Sequence, residues 1–212
     1  MVGHRRNFEK MNIKAEFLEK LKQFEKKYLT LADFEKLLER ERRSLRVLIH
    51  RLVKAGFLNQ LKPGVYILPE NRAYLDKIAN QLYYPSYLSF VSALARWGII
   101  GQMPYSLTFA TLKKSKKMML GQTEVVYSQL KPELFFGYKL EGGINIAYPE
   151  KALLDQVYLA SLGKGFIDYE ELTLIDLDKK RFNDYVKRFP KRIRRGVKEI
   201  KKQWGQVFVG VK

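Results

Sequence analysis

Between Thr30 and Leu68 the chain reads TLADFEKLLERERRSLRVLIHRLVKAGFLNQLKPGVYIL, and this stretch constrains the fold more than any other. Thr30 followed by Asp33 is close to a capping box, and Leu31, Phe34, Leu37 and Leu38 recur at helical spacing, which predicts a short helix. Residues 39–43 are all charged, so the chain turns in water there. From about Arg43 a second helix is expected in which Leu45, Leu48, Ile49, Leu52 and Val53 share one face, with Gly56 where helices commonly stop. Phe57 to Leu61 and Val65 to Leu68 are rich in strand formers, and Lys62-Pro63-Gly64 between them is turn chemistry, so they form a hairpin. Helix, turn, helix and hairpin in this order predict a winged helix-turn-helix, a module that docks on double-stranded DNA.

The opposite face of the second helix carries Arg42, Arg43, Ser44, Arg46, Val47, His50, Arg51 and Lys54. A guanidinium is a planar fork that grips guanine O6 and N7, or a phosphate, at two points. Arg42, Arg43, Ser44 and Arg46 fall in the first turn, the part of a recognition helix that meets base edges. Lys54 at the helix end and Lys62 at the wing tip suit phosphate. A solvated basic face on a core helix, or a protein-binding winged helix, would carry the same pattern.

Composition sharpens the choice of partner. Lys and Arg number 40 against 22 Asp and Glu, a net charge of +18 with a pI of about 9.9, so a polyanion is expected. The absence of cysteine removes disulfides, thiol catalysis, iron–sulfur clusters and zinc fingers, and only His4 and His50 offer imidazole. The longest apolar stretch, Leu82 to Ile100, is broken by Pro85, several serines and Arg96, so no membrane span is expected. The start, MVGHRRNFEK, has no apolar core behind its basic residues, so no secretory signal is expected and the reading is cytoplasmic.

Ahead of the central stretch, Ile13, Phe17, Leu21, Phe24 and Tyr28 predict a supporting helix opened by Asn12. After it, Asn71 to Leu82 reads as a helix, and the domain boundary falls near residue 80. The second domain opens with YYPSYLSFVSALARWGII, in which Pro85 and Ser86 start a helix, Leu88, Val91, Leu94 and Ala95 are buried and Gly98 ends it. Ser106 to Leu112 and Thr123 to Leu130 read as strands, with Lys113, Lys114, Lys116 and Lys117 at a hairpin tip between them. That tip is either solvated surface or a phosphate contact. LKPELFFGYKLEGGINIAYPEKALLDQVYLASL follows as strand, Gly-Gly turn, strand and helix, with Pro149 in the helix's first turn and an apolar face from Leu153, Leu154, Val157 and Tyr158.

The string KPELFFGY followed by INIAYPEKALLDQVYL resembles the second domain of AbiEi-type antitoxins, and LVKAGFLNQLKPGVYIL resembles the winged domain that precedes it in that family. The resemblance runs from about Thr30 to Leu162. It implies a transcriptional autorepressor of a type IV toxin–antitoxin, or abortive-infection, system. Such a protein opposes a nucleotidyltransferase-like toxin without forming a stable complex with it. The resemblance assigns no catalytic role to Glu150, Lys151 or Asp155, which are expected to act as cap, surface charge and local hydrogen-bond acceptor.

Beyond the resemblance, Asp178 to Phe189 and Lys191 to Trp204 read as helices separated by Pro190. Ile193, Val197, Ile200 and Trp204 form one stripe of the second, and Lys191, Arg192, Arg194, Arg195, Lys198, Lys201 and Lys202 cover the rest. From Lys179 to Lys202 there are 12 basic and 2 acidic residues, a net +10, so this tail holds more than half of the excess charge. Phosphate contact, an anionic lipid surface, an acidic protein groove and a merely solvated face all fit it.

The expectation is therefore an α+β protein: a winged helix-turn-helix over 1–80, a mixed α/β domain over 81–175 and a basic helical tail over 176–212. Its partner is double-stranded DNA at its own operator. No catalytic residue, metal or cofactor is expected. A solitary winged-helix regulator shares these features. A metal-dependent nucleic-acid-processing enzyme is the rival of another class, and it would have to assemble Glu124, Glu133, Glu150, Lys151 and Asp155 around Mg²⁺.

Overall fold

Thr30 opens the first described helix by reciprocal bonding. Its backbone N–H donates to Asp33 Oδ2 at 2.8 Å and its hydroxyl to the same oxygen at 2.7 Å, while the Asp33 N–H donates back to the hydroxyl at 3.3 Å. The computed structural model describes residues 26–38 and 41–207, and the chain divides into two units, Met1–Leu75 and Asp76–Lys212. The supporting helix expected from Asn12 lies outside the described residues, except that Tyr28, its expected last member, stands in a bend.

In the first unit, β1 (Leu29–Thr30) leads into α1 (Leu31–Leu38) and α2 (Arg42–Lys54), followed by β2 (Asn59–Lys62) and β3 (Val65–Ile67). Gly56, at φ +76°, ends α2, and Gly64, at φ +78°, turns the hairpin; both conformations suit a residue without Cβ. The sheet is antiparallel in the order β1-β3-β2, and Leu61 is the extra residue of a bulge between Gln60 and Lys62. Leu45, Ile49 and Leu52 are the buried stripe of α2 and join Leu29, Phe34, Leu58 and Leu68 in one core. Each such side chain contributes about 1.5–3 kcal/mol on burial, so this core fixes which face of α2 stays in water.

The helix expected over 71–82 is a 3₁₀ turn, Pro69–Tyr74, followed by α3 (Leu75–Leu82). The boundary falls at Leu75 rather than near residue 80, because α3 is tied to the second unit. The Asn80 amide donates to the Ser86 carbonyl at 2.6 Å and the Ser86 hydroxyl at 3.0 Å, while its oxygen accepts from the Asn145 N–H at 3.1 Å.

The second unit is built on a six-stranded mixed sheet, β6-β7-β5-β4-β9-β8. Its strands are β4 (Ser86–Leu88), β5 (Ser106–Thr111), β6 (Lys116–Leu120), β7 (Thr123–Gln129), β8 (Tyr138–Glu141) and β9 (Ile144–Ala147). Two expectations fail here. Pro85 and Ser86 do not start a helix: Ser86, Tyr87 and Leu88 pair with Thr111, Ala110 and Phe109, and α4 (Phe90–Arg96) begins only after them. Within α4 the buried residues are Phe90, Ser92, Ala93 and Leu94, with Val91 and Ala95 only half-buried. Nor are the strands around the lysines a hairpin. β5 and β7 run parallel, and Lys116 and Lys117 belong to an additional edge strand, β6, antiparallel to β7. Two positively charged residues heading KKMML hide the strand from a pattern of alternating polarity.

Around α5 (Pro149–Ser161) the remaining helices assemble: α4, α6 (Lys179–Val186) and α7 (Arg194–Val207) all pack against it. Every α5 residue from Glu150 to Leu159 is buried. The basic tail is thus not a separate segment. Phe182, Ile193, Val197, Ile200 and Trp204 are buried, the Phe182 and Trp204 rings meet edge-to-face at 4.9 Å, and the Trp204 indole donates to the Leu174 carbonyl at 3.0 Å.

Candidate nucleic-acid interface

With Leu45, Ile49 and Leu52 turned into the core, the remaining face of α2 is in water. Arg42, Arg43, Ser44, Arg46, Val47, His50, Arg51 and Lys54 are all exposed, so the structure places every one of these candidates on a single helical surface. Its first turn has no acidic residue and no side-chain cap on its N–H groups, and the residue that precedes it at the cap position is Glu41. Not every candidate is equally available. Arg42 is ion-paired with Glu35 of α1, which raises its pKa, and the Ser44 hydroxyl donates to the Glu41 carbonyl at 3.0 Å. Arg43, Arg46, His50, Arg51 and Lys54 make no side-chain hydrogen bond or ion pair among the described residues. Lys62 is the last residue of β2 and half-buried, so the hairpin tip is Pro63-Gly64 rather than the lysine.

In the second unit the candidate cations lie on two elements. Lys113, Lys114, Lys116 and Lys117 are exposed at the β5–β6 connection and the start of β6; the Lys113 and Lys116 ammonium groups stand 5.3 and 5.6 Å from the Tyr83 ring centre, and Lys117 is 3.8 Å from Glu124. Lys191, Arg192, Arg194, Arg195, Lys198, Lys201 and Lys202 are also all exposed. At 100° per residue, the five cations within α7 span a sector of about 120° opposite its buried stripe. No sequence signal had drawn attention to Tyr83, because a tyrosine before Pro85 reads as core.

The residues weighed for a metal site do not converge. Glu124 pairs with Lys117, and Glu133 lies 3.8 Å from Lys131 on another turn. Among the described residues no three His, Asp or Glu side chains form a group able to hold a metal ion. Glu150, Lys151 and Asp155 have a different place from the one expected. Lys151 is fully buried, not a surface charge, and is ion-paired with the equally buried Asp155. Asp155 also accepts from the Tyr87 hydroxyl at 3.0 Å and the Ser89 hydroxyl at 2.8 Å, and Lys151 donates to the Tyr87 oxygen at 2.9 Å. Burial pushes the Lys151 pKa down and the Asp155 pKa up, and the attraction between them opposes both shifts without cancelling them. Glu150 is no simple cap; it accepts from the Asp178 N–H at 2.8 Å and from Arg181 at 3.3 Å, joining α5 to α6. These are the bonds of a core.

No helix among the described residues is long and apolar enough to cross a membrane. No protein-family model matches the chain, and no curated protein matches it. Among solved structures it is similar to the crystal structure of RV2827C protein from Mycobacterium tuberculosis, with a TM-score of 0.59 at 15% identity, over 87% of this chain and 74% of that one. At that identity the likeness speaks for a shared α+β fold and for nothing further.

Proposed function

We propose that the chain is a sequence-specific regulator of transcription that binds double-stranded DNA, its first unit working as a winged helix-turn-helix. The observation that carries this reading is the exposed face of α2, with Arg43, Arg46, Arg51 and Lys54 free of side-chain partners among the described residues, at a helix directly followed by a hairpin. Arg43 and Arg46, in or near the first turn, reach base edges; Arg51, Lys54 and Lys62 neutralise phosphates. Arg42 joins them when it exchanges Glu35 for DNA.

The two segments that resemble AbiEi-type antitoxins, in the order of that family, extend the reading: the protein represses its own operon and opposes a nucleotidyltransferase-like toxin without a stable complex. The deciding experiment is binding to a labelled duplex from the chain's own upstream region, against a scrambled duplex, across a salt series. Preference of about 10³-fold or more for the upstream duplex is expected. Arg43→Ala or Arg46→Ala should cost about 1–3 kcal/mol and relax specificity at one position, whereas Lys54→Ala weakens all sequences alike. Equal affinity for both duplexes, unchanged by Arg43→Ala and Arg46→Ala, would end the reading. The antitoxin role is tested separately, by rescue of growth when the neighbouring gene is induced with and without this chain.

A further inference from the structure

The β5–β6 lysine loop is held from both sides by hydrogen bonds. Ser86 of β4 pairs with Thr111 of β5, and beyond that ladder the two strands stay together. The Thr111 hydroxyl donates to the Pro85 carbonyl at 2.7 Å, and the Tyr83 hydroxyl donates to the Lys114 carbonyl at 2.9 Å. From the other side Gln129 fixes the loop, its side-chain amide donating to the Leu112 carbonyl at 3.1 Å and its backbone N–H to the Ser115 hydroxyl at 3.0 Å. Tyr84 therefore sits between two residues that are both bonded to the lysine-bearing segment.

The two neighbouring tyrosines are used differently. The Tyr83 ring is occupied, tilted against Tyr127 at 4.7 Å and overlaid by Lys113 and Lys116. Tyr84 is 64% exposed and makes no hydrogen bond, ring contact or cation contact among the described residues. In the loop that Tyr83 holds, Lys113, Lys114, Lys116 and Lys117 make one ion pair among the described residues, that of Lys117 with Glu124. The result is a pinned cluster of exposed lysines and, one residue along from the tyrosine that two of them overlie, a ring that is 64% exposed.

Such a pairing suits unpaired bases: the ring stacks on a base while the lysines neutralise adjoining phosphates. A duplex offers phosphates but keeps its base faces stacked inside, so it would use the lysines and leave Tyr84 idle. We infer that Tyr84 and the Lys113–Lys117 loop form a binding surface for single-stranded nucleic acid, separate from the duplex contact proposed for α2 and independent of it.

The test is fluorescence anisotropy with the full chain and labelled 12-nucleotide dT and rU strands and a 12-base-pair duplex, in an Arg43→Ala/Arg46→Ala background that weakens the α2 contribution. Tyr84→Ala should weaken binding of the strands by about 5- to 150-fold and leave the duplex unaffected, and Tyr84→Phe should retain the parent affinity. Lys113→Gln with Lys116→Gln should flatten the log–log salt slope by about 1.4, at about 0.7 per phosphate of a single strand. A loss confined to rU identifies RNA as the ligand and one confined to dT identifies single-stranded DNA. Tryptophan emission confirms that each variant is folded. The inference is overturned if Tyr84→Ala binds both strands as the parent does, if the duplex loses as much as the strands, or if poly-glutamate displaces dT as well as unlabelled dT at equal charge.

Discussion

Asparagine in place of Asp155 should cost the second unit about 3–5 kcal/mol, the range for breaking a buried ion pair from one side. Among the described residues Asp155 is the one carboxylate against Lys151, whose ammonium is enclosed by the rings of Phe136, Phe189 and Tyr87 at 5.0, 5.2 and 5.4 Å. An asparagine still accepts from Tyr87 and Ser89, so the loss isolates the charge of Lys151. Since domains are stable by about 5–15 kcal/mol, the variant unfolds in markedly less urea. Replacing both partners, Lys151→Met with Asp155→Leu, removes both charges that burial disfavours and leaves two hydroxyls without an acceptor. Two such hydroxyls cost about 2–6 kcal/mol and replacing the buried pair returns about 1–4, so the double variant should recover to within about 1–2 kcal/mol of the parent. Urea unfolding followed by tryptophan emission reads this unit alone, because the two tryptophans, Trp97 and Trp204, both lie in it. A loss under about 1 kcal/mol for Asp155→Asn, or a double variant as weak as the sum of the singles, would refute the ion pair's role.

Other outcomes follow from single contacts. Gly196→Ala should lower stability by about 1–3 kcal/mol in the same urea assay, although alanine is the better helix former, because the added Cβ would stand 2.5 Å from the Tyr169 hydroxyl and 2.6 Å from Val157 Cγ1. Burial raises the Asp33 pKa, but the bonds from Thr30 and the Lys26 ammonium outweigh it and hold the carboxyl below its ordinary value of 3.8. A depressed carboxyl stabilises the fold above its unfolded pKa and ceases to do so as pH falls through the folded value. Asp33→Asn should thus cost about 0.5–2 kcal/mol in thermal unfolding followed by circular dichroism at pH 7, with the difference shrinking below the ordinary pKa. Phe90 is buried with φ +56°, and Phe90→Ala keeps that strained backbone while losing about 3–5 kcal/mol of packing, which chemical denaturation will report.

The elements of the first unit were legible because their signals are local. Thr30 and Asp33 bond to each other across one turn, Leu45, Ile49 and Leu52 repeat at helical spacing, and Gly56 and Gly64 occupy backbone conformations that few other residues adopt. The same locality exposed the cationic face of α2. It did not reveal that Arg42 is held by Glu35, seven residues away, nor that Lys62 is half-buried. In the second unit, the Pro149 helix and the Gly142-Gly143 turn were readable for the same reason, while β4 was mistaken for a helix start. Its extended form comes from pairing with β5 and β9, whose partners lie far along the chain.

By itself, then, the sequence determined the two helices and the hairpin between Thr30 and Leu68, the Pro149 helix, the α+β character and the large positive charge, because periodicity, capping and turn chemistry act over a few residues. Only the tertiary structure decided the order of the six-stranded sheet, the conversion of the basic tail into a packed layer of the second unit, and the fate of Lys151. That last case shows why. A Pro-Glu-Lys at a helix start suggests a lysine in water, yet one of its acceptors, the Tyr87 hydroxyl on β4, lies 64 residues earlier, and the other, Asp155, is itself held by Tyr87 and by Ser89 just after that strand. Lys151 and Asp155 are neighbours on one helix, but the pair can be buried only because the folded sheet brings the Tyr87 and Ser89 hydroxyls to it.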